Sequence, residues 1–456
     1  MSPAYAREVQ DTQEIVLENK KVLVEKVHLA GLQRTKADYL AEDVKPLFKC
    51  ESFLETYQLS LICKRKLMKK GIFKEVDVLI DTTAAYKDSS DEGIQVIFKV
   101  KERGSLCGEA KTEMSNTEKP RWLMRIISPN LFGRGESLSA SFSHSLSSSS
   151  VLYQPTDFSI GFTKPYQNDA NMQLLLLQQK EDCPWAQYDQ TFRGFKTVFD
   201  FPLLGNQHSL EWQGMWRELA CSNVGTAFEV RQQMGHSLKS SLLHTMVLDR
   251  TDDAILPKRG FHLKLTEEFA GLGGDVKFIK ERLESSLHAT LFQKITLGLG
   301  FQAGFLLPYG TNNKTCITDK FFIGGPLTLR GFETNSVGNE TCGNFIGSNA
   351  FWMVGGHIYT PLPFYWSRFG RGSWLDNFRF HGFVNAGNAF DIDFKATFAS
   401  NAENAKKDIR LSYGFGLVYK FMNAARFELN FCIPIKAQST DRLCDGVQFG
   451  IGVSSV

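Results

Sequence analysis

Arg410-Leu411-Ser412-Tyr413-Gly414-Phe415-Gly416-Leu417-Val418-Tyr419-Lys420 and, four residues on, Ala425-Arg426-Phe427-Glu428-Leu429-Asn430-Phe431-Cys432-Ile433 both read with a period of two. Leu411, Tyr413, Phe415, Leu417 and Tyr419 fall on one face, and Arg410, Ser412, Gly414, Gly416, Val418 and Lys420 on the other. Residues one apart point to opposite faces only in a β-strand, so these are strands with one apolar side. The pattern recurs outward through the chain. In 293–305, Ile295, Leu297, Leu299, Phe301, Ala303 and Phe305 alternate with Lys294, Thr296, Gly298, Gly300, Gln302 and Gly304. Residues 260–266 and the serine-rich 137–146 do the same.

Alternation does not say which face meets water. A soluble sandwich points its apolar face inward, a membrane barrel points it at lipid. Two features favour the barrel. Runs of about ten residues match a tilted bilayer span, and the small, glycine-rich polar faces suit an enclosed lumen. Seventeen runs can be marked between 105 and 455. A closed antiparallel barrel has an even number of strands. The weakest run, 226–234, is therefore read as loop, which leaves sixteen strands.

The composition agrees with a β-rich chain. Of 456 residues, 37 are Phe and 38 Gly, and aromatics fit a pleated surface. A net charge of +3 gives no argument for nucleic acid. The nine cysteines, at 50, 63, 107, 183, 221, 316, 342, 432 and 444, form no C-x-x-C pair, so they read as scattered small hydrophobes. The first 21 residues carry acids and no apolar core, unlike a secretory signal. The uncharged stretch 341–367 is broken by Gly355, Gly356, Pro361 and Pro363, unlike a spanning helix. Nothing resembles a nucleophile elbow or a phosphate loop, so no enzyme activity and no cofactor or metal is expected.

Charge density divides the chain. Residues 22–103 hold 15 basic and 13 acidic residues, about 34%, against about 19% in 104–456. Residues 1–21 are expected to be disordered, 22–103 to form a small α+β domain and 104–456 the barrel. The small domain reads β-α-α-β-β. Thr35 is the expected cap of its first helix and Ser52, with Glu55 three residues on, of its second. Leu54, Tyr57, Leu61 and Met68 mark that second helix's apolar face. Lys64, Arg65, Lys66, Lys69 and Lys70 cluster at its end. They fit either a solvated face or contact with anionic lipid headgroups.

Between two strands lies a connection of about 40 residues, 307–346. It contains Ile323-Gly324-Gly325-Pro326-Leu327-Thr328-Leu329-Arg330-Gly331-Phe332. Glycines permit tight folding, and Leu and Phe are ill-placed on an exposed loop. Arg330 is therefore expected inside the lumen against a polar or acidic partner. This loop resembles that of the outer-membrane protein assembly superfamily, most closely its mitochondrial sorting and assembly branch, whose Arg-Gly-aromatic signature is matched by Arg330-Gly331-Phe332. Asn130-Leu131-Phe132-Gly133-Arg134-Gly135-Glu136, Pro257-Lys258-Arg259-Gly260 and Phe383-Val384-Asn385-Ala386-Gly387-Asn388 also match, in the right order. The 22–103 region resembles a single polypeptide-transport-associated (POTRA) domain, with its Gly71-Ile72-Phe73 turn.

Two positions depart from the family. Asn385 stands where aspartate is common, so the expected partner of Arg330 is the Asn385 amide or a lumen acid such as Glu428. Gln448-Phe449-Gly450-Ile451-Gly452-Val453 fits the family's terminal-strand signal loosely, with Ser455 at the last apolar position. The resemblance implies an insertase that folds β-barrel precursor proteins into the mitochondrial outer membrane. Precursor strands would pair with a seam opened between the first strand (Cys107, Gly108, Glu109, Lys111) and the last (Gln448, Gly450, Gly452). Implied partners are barrel precursors, metaxin-like accessory subunits, a cristae-organising contact-site complex and membrane lipids. A passive pore and a contact-site tether are the rivals. The N-terminal domain is expected in the intermembrane space, because an even strand count returns both ends to one side.

Overall fold

The computed structural model describes residues 21–83, 93–113, 120–145, 156–166, 168–223, 225–291, 294–310, 315–362, 377–393, 396–422 and 424–452. The segment expected to be disordered, save Lys21, lies outside the described residues, as do Val453 and Ser455. The chain divides into two compact units: Met1–Cys107 with Ile126–Leu138, and Gly108–Arg125 with Ser139–Val456.

The first unit contains β1 (Leu23–Ala30), α1 (Ala37–Val44), a tight 3₁₀ turn (Lys45–Lys49), α2 (Phe53–Lys69), β2 (Phe73–Thr82) and β3 (Gly93–Glu102). β3 lies centrally, parallel to β1 and antiparallel to β2. Its core joins Leu40, Leu47 and Leu67 to Phe73, Val96 and Phe98. Ser52 caps α2 as expected, accepting from the Glu55 amide at 3.3 Å.

Two local expectations are overturned. Thr35 does not cap α1. The cap position is Lys36, with no side-chain bond, because the Thr35 hydroxyl donates to Glu102 at 2.6 Å. Burial alone would raise the Glu102 pKa. The Thr35 hydroxyl and amide, with the amides of Gln33 and Arg34, outweigh that and hold it at about 2. Nor is the buried face of α2 the expected one. Thr56, Ser60, Cys63 and Leu67 face the core, while Leu54, Tyr57 and Met68 are exposed. The buried hydroxyls bond back to the helix, Thr56 to the Ser52 carbonyl at 3.0 Å and Ser60 to the Tyr57 carbonyl at 2.7 Å. Satisfied in this way, they pack like small apolar groups. In the basic cluster, Lys64 pairs with Asp77 and Lys70 with Asp43.

Residues 126–138 complete this unit. Asn130 donates to the Thr35 hydroxyl at 2.7 Å and accepts from the Gly135 amide at 2.8 Å. Arg134 pairs with Asp38 at 2.7 Å. The Asn130 to Glu136 stretch is thus folded on its own side chains, with Asn130 itself at positive φ.

The remaining strands are β4 (Cys107–Glu113), β5 (Arg121–Ser128), β6 (Ser137–Ser145), β7 (Thr156–Pro165), β8 (Asn171–Cys183), β9 (Tyr188–Leu203), β10 (Asn206–Cys221), β11 (Gly235–Asp249), β12 (Gly260–Gly274), β13 (Phe278–Leu291) and β14 (Ile295–Pro308). After them come the short pair β15 (Glu340–Thr341) and β16 (Asn344–Phe345), then β17 (Ala350–Thr360), β18 (Phe378–Phe390), β19 (Arg410–Phe421), β20 (Ala425–Lys436) and β21 (Gly446–Gly452). All but β15 and β16 join one sixteen-stranded sheet. Its order follows the chain from β4 to β21, with those two at its ends. The weak run 226–234 is loop containing a one-turn helix, Phe228–Arg231.

The faces decide between sandwich and barrel. Leu299 is 59% exposed and Phe415 51%, whereas their neighbours Gly298, Gly414 and Ser412 are buried. Apolar side chains point out and small or polar ones in, the reverse of a soluble sandwich. The unit is a sixteen-stranded antiparallel transmembrane β-barrel. Its strands reach 16 residues in β9 and β10, longer than the expected ten. Among the described residues no helix is long and apolar enough to cross a membrane.

Candidate functional site

The connection from β14 to β17 folds inward. Phe321, Ile323, Leu329, Phe332 and Val337 of the loop form a buried cluster with Phe351 and Met353 of β17 and Ala389 of β18. This cluster explains why the loop is rich in Leu and Phe. Gly324 has φ +114°, and a Cβ there would lie 2.5 Å from the Glu333 carbonyl oxygen, so the turn admits only glycine. The Gly325 amide donates to the Leu329 carbonyl, which closes the tip around Pro326 and Leu327.

Arg217 and Arg330 are the largest fully buried side chains among the described residues. Arg330 donates from Nε and Nη2 to Glu428 Oε2 at 3.2 and 2.8 Å. Its guanidinium lies 5.2 Å from the Phe383 ring centre, in cation–π range. Glu428, wholly buried, also accepts from Asn430 at 3.0 Å and lies 3.0 Å from Arg426. Of the two expected partners, then, Glu428 pairs with Arg330. Asn385 is buried, but neither amide atom has a hydrogen-bond partner among the described residues.

The next two loop residues face the last strand. The Gly331 amide donates to Gln448 Oε1 at 3.1 Å, and Gln448 Nε2 donates to the Phe332 carbonyl at 2.9 Å. Pro326 and Leu327 close on Gly450. A Cβ there would stand 3.0 Å from Pro326 Cβ, and one at Gly452 would stand 3.5 Å from Leu327 Cδ1. Phe332 bridges to Leu443, and Cys444 donates to the Gly331 carbonyl, so the loop also pairs along the approach to β21. The first strand is different. Gly108 to Glu113 are exposed, and Lys111 pairs with Glu109 at 3.1 Å. Cys107 is half-buried.

Sequence reasoning missed two further anchors. Asp319 in the loop accepts from Arg217 at 2.8 Å and Lys239 at 3.3 Å. Lys239 in turn pairs with Glu268 at 2.6 Å. Arg410 forms a two-pronged pair with Asp441 at 2.8 and 2.9 Å and donates to Asn388 at 2.6 Å. Charges at lumen-facing positions of otherwise apolar strands were the available signal. Their partners lie 22 to 102 residues away.

An Omp85 superfamily domain model matches residues 130–454. Sorting and assembly machinery component 50 homolog B of Xenopus laevis is 40% identical, over 96% of this chain and 92% of that protein. The Homo sapiens homolog is 39% identical, over 96% and 91%. The chain belongs to the Omp85 superfamily, in its sorting and assembly machinery component 50 family. Among solved structures, this Omp85 chain is similar to BamA from Haemophilus ducreyi lacking POTRA domains 1-3. The TM-score is 0.73 at 18% identity, over 94% of this chain and 84% of that one. That likeness concerns the fold, and its extent exceeds the barrel alone.

Proposed function

We propose that this Omp85 protein assembles and inserts β-barrel precursors in the mitochondrial outer membrane, by letting a precursor strand pair with an edge opened between β4 and β21. The single observation that carries the mechanism is the position of β21. It has β20 as its strand neighbour in the sheet order, and is otherwise held from within by a loop. A strand held in this way can part from β4 and offer its free backbone groups for β-augmentation. Such pairing meets the central difficulty of insertion, because each unpaired backbone group in lipid costs several kcal/mol. The similarity to sorting and assembly machinery component 50 homologs supports the assembly role. The β-α-α-β-β order of the first unit supports a polypeptide-transport-associated domain, and the even strand count supports its facing the intermembrane space. Its partners would include metaxin-like subunits and a cristae-organising contact-site complex.

A disulfide across the seam tests the mechanism. Cysteines scanned over Gly108 to Lys111 against Val447 or Phe449 spare the loop contacts of Gln448 and Gly450. The locked protein is expected to stop inserting newly imported barrels, and reduction to restore insertion. Insertion at the normal rate through a verified crosslink would refute seam opening. A passive pore or a tether tolerates the lock.

A further inference from the structure

Beside the Arg330–Glu428 pair lies a cavity, lined in part by Arg330 itself. It has a volume of about 60 Å³. Ser286 and His288 of β13, Gln302 of β14, Thr328 of the loop, Asn385 of β18 and Arg426 of β20 bound it. A water needs roughly 10–15 Å³ by the same measure, so one small ion with accompanying water fits. Glycines keep the space open: a Cβ at Gly300 would meet nothing nearer than 4.0 Å.

The lining mixes apolar side chains, among them Leu299, Leu327 and Met353, with polar groups that are unsatisfied. Both amide atoms of Asn385, both ring nitrogens of His288, Ser286 Oγ, Gln302 Oε1 and Thr328 Oγ1 are buried without a hydrogen-bond partner among the described residues. Asn385 is 2% exposed and His288 8%. So many orphaned groups around one space are unusual, because buried polar groups are almost always paired. The charges are unbalanced too. Arg330 and Arg426 both draw on Glu428, two cations on one carboxylate. Arg426 Nε lies 3.0 Å from Glu428 Oε1 without the alignment of a hydrogen bond, and Arg426 also lines the cavity.

We propose that this cavity binds one small monovalent anion, chloride or a planar oxyanion of similar size. Arg426 supplies the balancing charge, and Asn385 Nδ2 with the Ser286 and Thr328 hydroxyls donates hydrogen bonds. The ion would complete the neutralisation of the loop anchor.

Thermal unfolding of the purified full chain in lipid nanodiscs tests this, in sodium chloride against sodium gluconate at equal ionic strength. Gluconate is too large for the cavity. The midpoint is expected to rise by several degrees with chloride and to saturate, as one-site mass action requires; nitrate in place of chloride tests the oxyanion. Asn385→Asp, which builds a carboxylate into the same shape, should lose the chloride response and melt in gluconate as the native chain does in chloride. Ser286→Ala, which removes one donor and no charge, should raise the half-saturating chloride concentration several-fold. Crystals grown in bromide should show an anomalous peak within hydrogen-bond reach of Arg426. Equal melting in chloride and gluconate, an undiminished response in Asn385→Asp, or a cavity without bromide would overturn the proposal and leave a water-filled space.

Discussion

In β4, every residue from Gly108 to Glu113 is exposed. In β21, Gln448, Gly450 and Gly452 are buried, while their outward neighbours Val447 and Phe449 are exposed. Both strands end the same sheet, yet one is held on its inner face and the other is not. The difference lies in the loop. Two backbone groups of the loop meet Gln448, and Pro326 and Leu327 fill the space left by two glycines. The two end strands of the sheet therefore differ in how the loop holds them.

The largest expected effect breaks the loop's hold at its root. Glu428→Leu leaves the Arg330 charge buried and unpaired, and should cost about 3–5 kcal/mol in unfolding measured in nanodiscs. The double variant Arg330→Met with Glu428→Leu should recover most of that loss. No recovery would mean that the ion pair is not what anchors the loop.

A matched glycine pair sharpens the contrast. Gly450→Val drives a branched side chain into Pro326 and Leu327, at about 1–3 kcal/mol. Gly108→Val meets nothing within 4 Å and should change stability by under about 0.5 kcal/mol. Equal effects at the two positions would erase the asymmetry. Gln448→Leu should cost roughly 1–2 kcal/mol, because the Gly331 N–H and Phe332 C=O lose their partner. Faster hydrogen exchange at the Gly331 amide is the direct readout. The smallest effect belongs to Lys111→Ala, which removes an exposed pair with Glu109. It should fall within about 0.5 kcal/mol by the same unfolding measurement.

Much of the barrel was legible because a period of two is a local property. Each strand from β17 to β21 displays it whatever its neighbours are. The arginine of the loop was legible as well, since a charge set among Leu, Gly and Phe must be buried or costly. Its acceptor was not. Asn385 and Glu428 both face the lumen, and only the paths of β18 and β20 bring the carboxylate to Arg330. Thr35 and the outer face of α2 misled for a related reason. Hydrophobicity pointed to the Leu54–Tyr57 stripe of α2, but the buried stripe carries hydroxyls that satisfy themselves on the helix backbone.

The order of residues along the chain sets the strand pattern, the α+β order of the first unit, the inward loop and the family. All of these rest on neighbours in the chain, where spacing translates directly into geometry. Tertiary structure alone decided which carboxylate meets which arginine, how Gln448 ties the last strand to the loop, and where unpartnered polar atoms gather around a cavity. Such contacts join residues about a hundred positions apart. Their distances depend on sheet order and register, which no local pattern encodes.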